Sequence, residues 1–477
     1  MNADLIIALP EITLFALACV VLLVDAFSKD PLHMFTYWIT QATLLITLAL
    51  VLNASPTDAV IAFNNGFVSD AMSTTLKAFI CGITFVVFLY SHEYLKEHKS
   101  IKGEYFVLGL FAVLGMMVMA SAASLLSVYL GLELLSLSLY AMVAMQRDSE
   151  SASEAAMKYF ILGALASGML LYGISMIYGL TGHLQLASIA ETITSDPSIN
   201  RSYLVFGMIF MIIGIAFKLG AAPFHMWVPD VYQGAPTSVT LFISTAPKLA
   251  AFAMAMRILV DGLLPLIADW QSILMILAVL SMGVGNVIAI AQTNIKRMLA
   301  YSTIAHVGFL FLGLIAGTGA GFSGSMFYII SYALMSMGAF GMVILLSRNG
   351  FEAEMLEDFK GLSERSPWFA FIMLCLMFSM AGVPPFLGFW AKWFVLKELV
   401  SSGFVTLAAV AVVFSIIGAY YYLRIVKLMY FDKADSMTAV KASKQMRMVL
   451  SINGLLILLL GLAPNALMAI CLSALAG

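Results

Sequence analysis

Residues 215–236 read IAFKLGAAPFHMWVPDVYQGAP, a sequence that a continuous membrane helix would not accommodate. The stretch continues an apolar run and then places a charge at Lys218, a proline at Pro223 and a second ionisable group at His225. An ionised side chain at the bilayer centre costs at least about 2.5–3.5 kcal/mol, and proline removes a helical hydrogen bond. The stretch therefore predicts a membrane helix that is broken where its backbone faces a cavity or protein and not lipid.

The composition of the chain is that of a polytopic membrane protein. Of its 477 residues, 62% are hydrophobic and 10% are charged, and its mean hydropathy is +1.00. Soluble domains carry about 25% charged residues, which excludes a soluble protein. The formal net charge is −2 and no basic run is present, so the sequence predicts the lipid bilayer as a partner and no nucleic acid.

The sequence gives no sign of a metal or cofactor site. Cys19, Cys81, Cys375 and Cys471 are isolated in apolar segments, without a CxxC pair or a His/Cys cluster. No P-loop is present, and no GxGxxG follows a predicted strand, as a nucleotide-binding fingerprint requires. We therefore expect no redox centre, cofactor or metal in this chain. The N-terminus lacks a basic region before its first apolar run, which predicts a retained first helix.

The apolar runs predict an all-α polytopic membrane protein with about 14 transmembrane helices, since about 20 apolar residues cross the hydrocarbon core. We number the predicted spans 1 to 14 in chain order: 4–26, 33–53, 71–92, 104–121, 123–145, 154–180, 202–226, 236–260, 270–292, 295–317, 323–347, 367–400, 404–430 and 446–472.

Lysine and arginine residues lie almost all on one side of the predicted spans. The loops of the opposite side, such as 54–70 and 261–269, hold almost none. Because basic loops stay in the cytoplasm, we predict that both termini lie on the periplasmic side. The residues that indicate this orientation are Lys96, Lys99, Lys102, Arg147, Lys296, Arg297, Arg348, Lys360, Arg365, Lys427, Lys433, Lys441, Lys444 and Arg447.

Two spans carry similar breaks. Span 7 contains KLGAAPFHMW with Pro223, and span 12 contains GVPPFLGFWAKW with Pro384 and Pro385. The breaks are five spans apart, and an odd offset reverses the direction through the membrane. This predicts two inverted five-helix repeats, each with a broken helix. The predicted organisation is an N-terminal three-helix segment, repeat I (spans 4–8), repeat II (spans 9–13) and a C-terminal loop with span 14, at 1–103, 104–260, 261–430 and 431–477.

Five ionisable residues are predicted to lie deep in the membrane: Glu133, Lys218, Lys248, His306 and Lys392. Such groups are tolerated only where they face protein or water, and they commonly mark proton paths. Hydroxyl side chains accompany two of them, with Ser302 one turn before His306 and five more leading along span 8 to Lys248. Those five are Thr237, Ser238, Thr240, Ser244 and Thr245, and they fit either a wet path or close helix packing.

Other ionisable residues leave two interpretations open. Lys158 lies one turn from Glu154 near a span end, where it fits either a functional site or a side chain that extends to the interface. His225 is equally ambiguous at the end of a helix. Lys77 and Lys397 fit extension to the interface.

Lys218 and Glu133 together predict a proton switch. At a separation of about 4 Å and an effective dielectric constant near 20, their attraction is worth about 4 kcal/mol. Moving the glutamate away would remove that attraction and release the proton of the lysine into a water-filled break.

Four motifs carry a resemblance to a known family: LGLELLSLSLYAM (130–142), FKLGAAPFHMWVPDVYQGAPT (217–237), NIKRMLAYSTIAHVGF (294–309) and AGVPPFLGFWAKW (381–393). Together they resemble the antiporter-like membrane subunits of respiratory complex I, over essentially the whole chain. Relatives of this family occur in Mrp-type antiporters and membrane-bound hydrogenases.

The resemblance implies a proton-translocating subunit of the membrane arm of bacterial NADH:quinone oxidoreductase, in the cell inner membrane. Glu133, Lys218, Lys248, His306 and Lys392 match the proton-carrying positions of the family. The implied partners are a neighbouring antiporter-like subunit and small membrane subunits. NADH, FMN, iron–sulfur clusters and quinone would belong to other subunits.

Two alternatives stand beside this interpretation. A cation/proton antiporter subunit of Mrp type, or a membrane-bound hydrogenase subunit, would work without NADH, and the PDVYQGAPT and LELLSL motifs argue against it. A passive scaffold would not need buried Glu133, Lys218, Lys248 and Lys392.

Overall fold

The computed structural model describes residues 3–28, 30, 32–54, 58–98, 100–348, 351–434 and 439–475. Lys99, one of the residues that indicate the orientation, lies outside them. Thirteen helices in the described part are long and apolar enough to cross a membrane. They are Leu9–Phe27, Met34–Asn53, Ala71–Glu97, Gly103–Ala120, Leu125–Val143, Glu150–Thr181, Arg201–Leu219, Thr237–Gly262, Leu264–Ile290, Ile295–Ala316, Gly319–Leu346, Val405–Tyr430 and Lys444–Leu462.

The remaining predicted span, span 12, consists of the two shorter helices Pro367–Ala381 and Leu387–Ser401. Helices thus occupy all fourteen predicted positions, which confirms the all-α polytopic fold. Several helices begin at a residue whose side chain accepts a hydrogen bond from a free backbone amide of the first turn. These N-terminal caps include Asp70, Ser124, Ser149, Asn200, Asn294, Thr318 and Ser443.

The loops contain elements that hydropathy does not indicate. A short antiparallel hairpin joins Val60–Ala62 to Phe67–Ser69, with Val60 opposite Ser69. The other small elements are Ala3–Ile7, Leu186–Ser195, Leu264–Leu266, Leu356–Phe359 and Leu362–Arg365, and a second helix, Pro464–Ala474, completes span 14.

Both predicted breaks are present, and they have the same local design. The first half of span 7 ends at Gly220 with φ +83°, and the first half of span 12 ends at Gly382 with φ +87°. Only glycine adopts this left-handed conformation without steric cost, so each glycine ends its helix. Three residues after each glycine comes a proline in a cis peptide bond, Pro223 or Pro385. The second halves are Trp227–Gly234 and Leu387–Ser401.

Span 8 is also interrupted, where the sequence predicts one continuous helix over 236–260. It consists of Thr237–Ile243, Ala246–Ala255 and a π-helix, Met256–Gly262. Thr245, with φ −118° and ψ −102°, separates the first two. Pro247 explains the interruption, because it has no amide to continue the helical hydrogen bonds and its ring clashes with the preceding turn.

The same pair of helices in each repeat packs backbone against backbone. A Cβ atom at Gly115 in span 4 would lie 2.7 Å from the carbonyl oxygen of Gly131 in span 5. A Cβ atom at Gly285 in span 9 would lie 2.5 Å from the amide of Ala305 in span 10. Small residues allow such close contact in membranes. Spans 8, 10 and 11 are almost completely enclosed by the other helices and form the centre of the protein.

Candidate functional site

The Lys248 ammonium lies at the break of span 7. Its Nζ atom donates a hydrogen bond of 2.8 Å to the carbonyl oxygen of Leu219, the last residue of the first half-helix. The residue is 1% exposed. The ring of Trp227 lies 5.3 Å from Nζ. Free carbonyls at the C-terminus of a helix carry partial negative charge, so this position stabilises a cation.

Lys392 occupies the matching position at the break of span 12. Its Nζ atom donates to the carbonyl oxygen of Ala381, again the last residue of the first half-helix, at 2.9 Å, and to Ser415 Oγ at 2.9 Å. The ring of Phe309 lies 5.1 Å away. A Cβ atom at Gly382 would lie 2.9 Å from Lys392 Cδ, so the glycine also leaves room for the lysine.

These contacts show which lysines occupy equivalent places at the two breaks. Each break motif has a lysine of its own within about seven residues of the prolines, Lys218 in span 7 and Lys392 in span 12. In the structure the geometric counterpart of Lys392 is Lys248, which comes from the next span and donates to the equivalent carbonyl. The sequence motif could not indicate this, since the lysine arrives from a different helix.

Lys218 binds a serine. Its buried Nζ atom donates to Ser136 Oγ at 2.9 Å, and Ser136 lies one turn after Glu133 in span 5. The Glu133 carboxylate accepts a hydrogen bond from Ser167 in span 6. Among the described residues, no ion pair within 4 Å joins Lys218 to Glu133, so the close approach predicted for the switch is not made in this state.

A small cavity lies where these side chains meet. Ser136, Ser167 and Lys218 line it together with Tyr140 and Tyr159. Its free volume of about 10 Å³ is near the least that holds one water molecule. Ser136 and Ser167 were not predicted from the sequence, although Ser136 has a signal in its helical spacing of three residues from Glu133.

His306 lies between tyrosines. Its Nδ1 atom is 2.7 Å from the Tyr328 hydroxyl and its Nε2 atom is 3.0 Å from the Tyr422 hydroxyl. Tyr422 also bonds to Ser302, the hydroxyl predicted one turn before the histidine. The imidazole therefore belongs to a buried hydrogen-bond chain in repeat II that crosses spans 10, 11 and 13. Tyr328 and Tyr422 were missed because aromatic residues in apolar runs give no separate signal.

The hydroxyl side chains of span 8 are buried, and most bond to backbone carbonyls. Thr240 Oγ1 donates to the Tyr232 carbonyl oxygen at 3.0 Å, and Ser244 Oγ donates to the Leu241 carbonyl oxygen at 3.0 Å. Ser238 Oγ has no hydrogen-bond partner within the described part of the chain. These hydroxyls thus contribute to helix packing, and one of them, Ser238, is without a partner among the described residues.

Lys158 lies at the edge of the protein, away from the buried lysines. Its side chain is 43% exposed and pairs with Glu154 and Asp230, each at 2.8 Å. Arg297 bonds to the same aspartate at 2.8 Å. His225 lies in the break of span 7, half-buried, and its backbone carbonyl accepts from the Val228 amide at 2.8 Å.

The interpretation of Lys77 as an interfacial side chain is wrong. Its Nζ atom lies 2.5 Å from Glu11 Oε1, and both side chains are buried between spans 1 and 3. The carboxylate compensates the charge inside the protein, so the lysine does not need to reach water. Lys397, 60% exposed, does extend outward.

An arginine cluster at one end of span 8 was missed. Arg257 is buried in the π-helix, and its guanidinium pairs with Asp70 and Asp261 at 2.8 Å. It also donates to the Ala120 carbonyl oxygen. Burial raises the pKa of Asp70, but the charge and hydrogen bonds of Arg257 outweigh this and hold that pKa below its usual value of 3.8. The cluster anchors the end of span 8 to spans 3 and 4.

No group of three or more His, Cys, Asp or Glu side chains that could hold a metal ion occurs within the described residues. The four cysteines are free and separate. The site offers a set of proton donors and acceptors: the half-buried carboxylate of Glu133, three buried ammonium groups, a buried imidazole and hydroxyls.

Comparisons with known proteins agree on one family for this chain. The family model described as NADH:quinone oxidoreductase/Mrp antiporter matches residues 122–418. The chain is 57% identical to NADH-quinone oxidoreductase subunit N of Thioalkalivibrio sulfidiphilus, over 99% of this chain and 98% of that protein. It is 53% identical to the subunit N of Ruthia magnifica subsp. Calyptogena magnifica, with the same coverage.

Solved structures share the fold over their whole length. A chain of respiratory complex I from Thermus thermophilus superposes with a TM-score of 0.84 at 31% identity, covering 98% of this chain and 100% of that chain. A chain of an archaeal membrane-bound sulfane sulfur reductase gives 0.86 at 25% identity, covering 99% and 96%. A chain of the Mrp complex from Dietzia gives 0.85 at 18% identity, covering 100% and 97%, and supports the fold alone.

Proposed function

The chain belongs to the family of NADH:quinone oxidoreductase and Mrp antiporter membrane subunits, and from this premise we propose that protons cross the membrane through Glu133, Lys218, Lys248, His306 and Lys392. It is a subunit of the proton-translocating NADH:quinone oxidoreductase, as its subunit N relatives are. Proton movement here is coupled to electron transfer from NADH to quinone in other subunits.

The main support for this proposal is an arrangement that occurs twice in the protein, a buried ammonium group at the end of a half-helix. Lys248 and Lys392 each donate to the last carbonyl of a half-helix, at 2.8 Å and 2.9 Å. A passive scaffold does not need this arrangement, since a buried charge is costly and apolar residues of the same size would pack as well. Two such sites, one in each repeat, fit two half-channels.

Each buried lysine acts by alternating between ammonium and amine. As an ammonium it donates to the half-helix carbonyl, and as an amine its nitrogen accepts a proton from water. Lys218 works beside Glu133, whose attraction grows as the two groups approach and reaches about 4 kcal/mol at 4 Å and an effective dielectric constant near 20. The Ser136 contact holds Lys218 one turn from that carboxylate. A displacement of span 5 relative to span 7 would therefore change the proton affinity of Lys218.

His306 and its tyrosines form the passage in repeat II. A neutral imidazole accepts a proton at one nitrogen and releases one from the other, so its contacts to Tyr328 and Tyr422 suit a relay. Lys392 lies close to this chain through Phe309, one turn after the histidine. Lys158 and His225 are secondary candidates: Lys158 lies in an ion-pair cluster at the protein edge, and His225 lies within a break.

We extend the proposal to the surroundings of the subunit, which its family membership supports. We assign NADH, FMN, iron–sulfur clusters and quinone to other subunits of the complex. The neighbours in the membrane arm are another antiporter-like subunit and small membrane subunits. The lysine and arginine side of the helices faces the cytoplasm, so both termini lie on the periplasmic side of the inner membrane. Repeats I and II occupy 104–260 and 261–430, between the segments 1–103 and 431–477.

The decisive experiment uses native membranes with Lys218→Ala. NADH-to-quinone flux and protons moved per electron are measured in the same vesicles, after native gels confirm assembly. The matched control is Lys397→Ala, which removes an exposed lysine. We expect both quantities to fall with Lys218→Ala and neither to fall with the control. Wild-type flux and proton ratio in the intact Lys218→Ala complex would disprove the role of this lysine.

A second candidate function is cation/proton exchange independent of NADH. The fold does not separate the two, since the Mrp chain and the complex I chain superpose equally well. Sequence identity separates them, at 57% to a subunit N against 18% to the Mrp chain. Sodium-dependent proton exchange by the isolated subunit in vesicles, without NADH, would favour the second candidate.

A further inference from the structure

A charged vestibule opens on the face of the protein where lysine and arginine collect. Its volume is about 430 Å³, and it lies between the start of span 6, the second half of span 7 and the connection from span 11 to span 12. Three bases and four acids line it: Lys158, Lys296, Arg297, Glu154, Asp230, Glu352 and Glu354. Six of these seven groups, all except Glu352, form ion pairs with one another.

Glu352 differs from the other acids of the vestibule in its partners. Asp230 pairs with Lys158 and Arg297, and Glu354 pairs with Lys296 at 2.7 Å. Within the part of the chain that the structure describes, Glu352 has no lysine or arginine partner, and its nearest basic group is His98 Nε2 at 3.2 Å. Its carboxylate is therefore free of a fixed neutralising charge.

The Glu352 carboxylate connects the vestibule with the interior. Its side chain is 31% exposed on the vestibule side. On the inner side, Oε1 accepts a hydrogen bond from the Tyr94 hydroxyl, and Oε2 accepts from Thr237 Oγ1 at 3.2 Å. Tyr94 and Thr237 are buried. Glu352 thus touches water and buried hydroxyls at once.

The buried hydroxyls continue from Glu352 toward Lys248. Thr237 is the first residue of span 8, and Lys248 follows eleven residues later, about 16 Å along a helix axis. On this segment the buried Ser238 hydroxyl has no partner within the described residues, and neither has the hydroxyl of Tyr232, whose carbonyl oxygen accepts from Thr240. Buried polar groups in proteins are normally satisfied, if necessary by ordered water. The segment therefore has the polar groups that a water-assisted proton path requires.

We propose that Glu352 is the proton acceptor at the mouth of repeat I, taking protons from the vestibule and passing them along span 8 to Lys248. The inference rests on the proton-translocating function proposed above. In each passage the carboxylate gains a proton from vestibule water and becomes neutral, then releases it inward. Each hydroxyl or water on the way accepts one proton and gives up another, and the Lys248 amine becomes an ammonium. No electron is transferred.

A structural role of Glu352 predicts a different result from a proton-carrying role. Glutamine at this position keeps one oxygen, which accepts from Tyr94 or Thr237, and its NH2 group donates to the other hydroxyl, so both contacts of the loop are preserved. The amide group of glutamine does not titrate at physiological pH, so it can neither take up nor release a proton. Glu354→Gln is the matched control, because Glu354 lies two residues away in the same vestibule and is also 31% exposed, but its partner is Lys296.

The test compares Glu352→Gln, Glu354→Gln and Lys248→Met in the full complex in native membranes. NADH-driven proton uptake into inverted vesicles and NADH oxidation are recorded from pH 6 to 9. We expect Glu352→Gln to slow both by about tenfold or more, a typical loss on removing a proton-transfer group, and to change the pH profile. Glu354→Gln should stay within about twofold of the wild-type rate, because glutamine keeps an oxygen for the Lys296 ammonium, which also donates to the Ala235 carbonyl oxygen.

The outcomes separate the two proposals. The role of Glu352 would be overturned by wild-type rates and pH profile in Glu352→Gln, or by an equal loss of rate in Glu354→Gln. In either case, a loss of proton uptake in Lys248→Met would still support the proton-translocating function. Wild-type pumping in Lys248→Met would overturn the function itself. If Glu352→Gln fails to assemble, Tyr94→Phe tests the same path. This substitution keeps the ring but removes the hydroxyl. Normal pumping by the assembled Tyr94→Phe complex would therefore also contradict the proposed path through Glu352.

Discussion

Replacing Lys248 with methionine should stop proton transfer while leaving the stability of the complex nearly unchanged. The substitution removes the charge-assisted hydrogen bond to the Leu219 carbonyl oxygen, worth about 1.5–3 kcal/mol. It also removes the contact of the ammonium with Trp227, worth about 0.5–2 kcal/mol. Against these losses, the folded protein no longer has to desolvate an ammonium, which costs several kcal/mol in a buried site. The opposing terms cancel to within a few kcal/mol.

The assay measures two quantities on one preparation. The melting temperature of the purified complex reports stability, and NADH-driven proton uptake in vesicles reports function. We expect the melting temperature of Lys248→Met to stay within a few degrees of the wild type, with proton uptake reduced about tenfold or more. Lys397→Met, at an exposed lysine, is the control and should change neither quantity. Normal proton uptake, or a loss of stability large enough to prevent assembly, would refute the reasoning.

Three further predictions concern other parts of the site. Gly382→Ala forces alanine into φ +87°, at a cost of about 1–2 kcal/mol, and places a Cβ atom 2.9 Å from Lys392 Cδ. It should reduce proton uptake several-fold, whereas Gly168→Ala, with open space around the Cβ position, should not. Ser136→Ala removes the acceptor of the Lys218 ammonium and should lower the proton-to-electron ratio in an assembled complex, which a purely structural serine would leave unchanged. Arg257 holds the pKa of Asp70 below 3.8, so its stabilising contribution is complete above that pH and disappears as the pH falls through the lowered pKa. Asp70→Asn should therefore lower the melting temperature near neutral pH and reduce the loss of stability on acidification, and an unchanged melting profile from neutral to acid pH would contradict this.

The span pattern and both principal breaks were predictable because their signals are local. An apolar run of about 20 residues needs only the bilayer for its explanation, and Gly220 and Gly382 lie within three residues of a proline in the motifs that suggested the breaks. The buried residues Lys218, Lys248 and His306 were identified on the same basis, since an ionisable residue deep within an apolar run is conspicuous.

The pairing of these residues was not predictable, because it depends on helix packing. Nothing near Lys248 in the sequence indicates the Leu219 carbonyl oxygen, which lies in another span. The same holds for the tyrosines around His306 and for Lys77, whose partner Glu11 comes from the first span. The interruption of span 8 did have a local signal in Pro247, but proline within a membrane helix is also compatible with a continuous kinked helix.

The lysines at the two breaks bear on how the two halves of the chain can be compared. Counting from the break glycine, Lys392 is the tenth residue after Gly382, and the tenth residue after Gly220 is Asp230. These two positions carry opposite charges, while the ammonium at the half-helix carbonyl comes from span 12 at one break and from span 8 at the other. The place of the positive charge in space is therefore shared by the two breaks, and the chain position that supplies it is not. Roles of residues in the two halves are thus to be matched through coordinates, because a residue-by-residue match from the break glycines would pair Lys392 with Asp230.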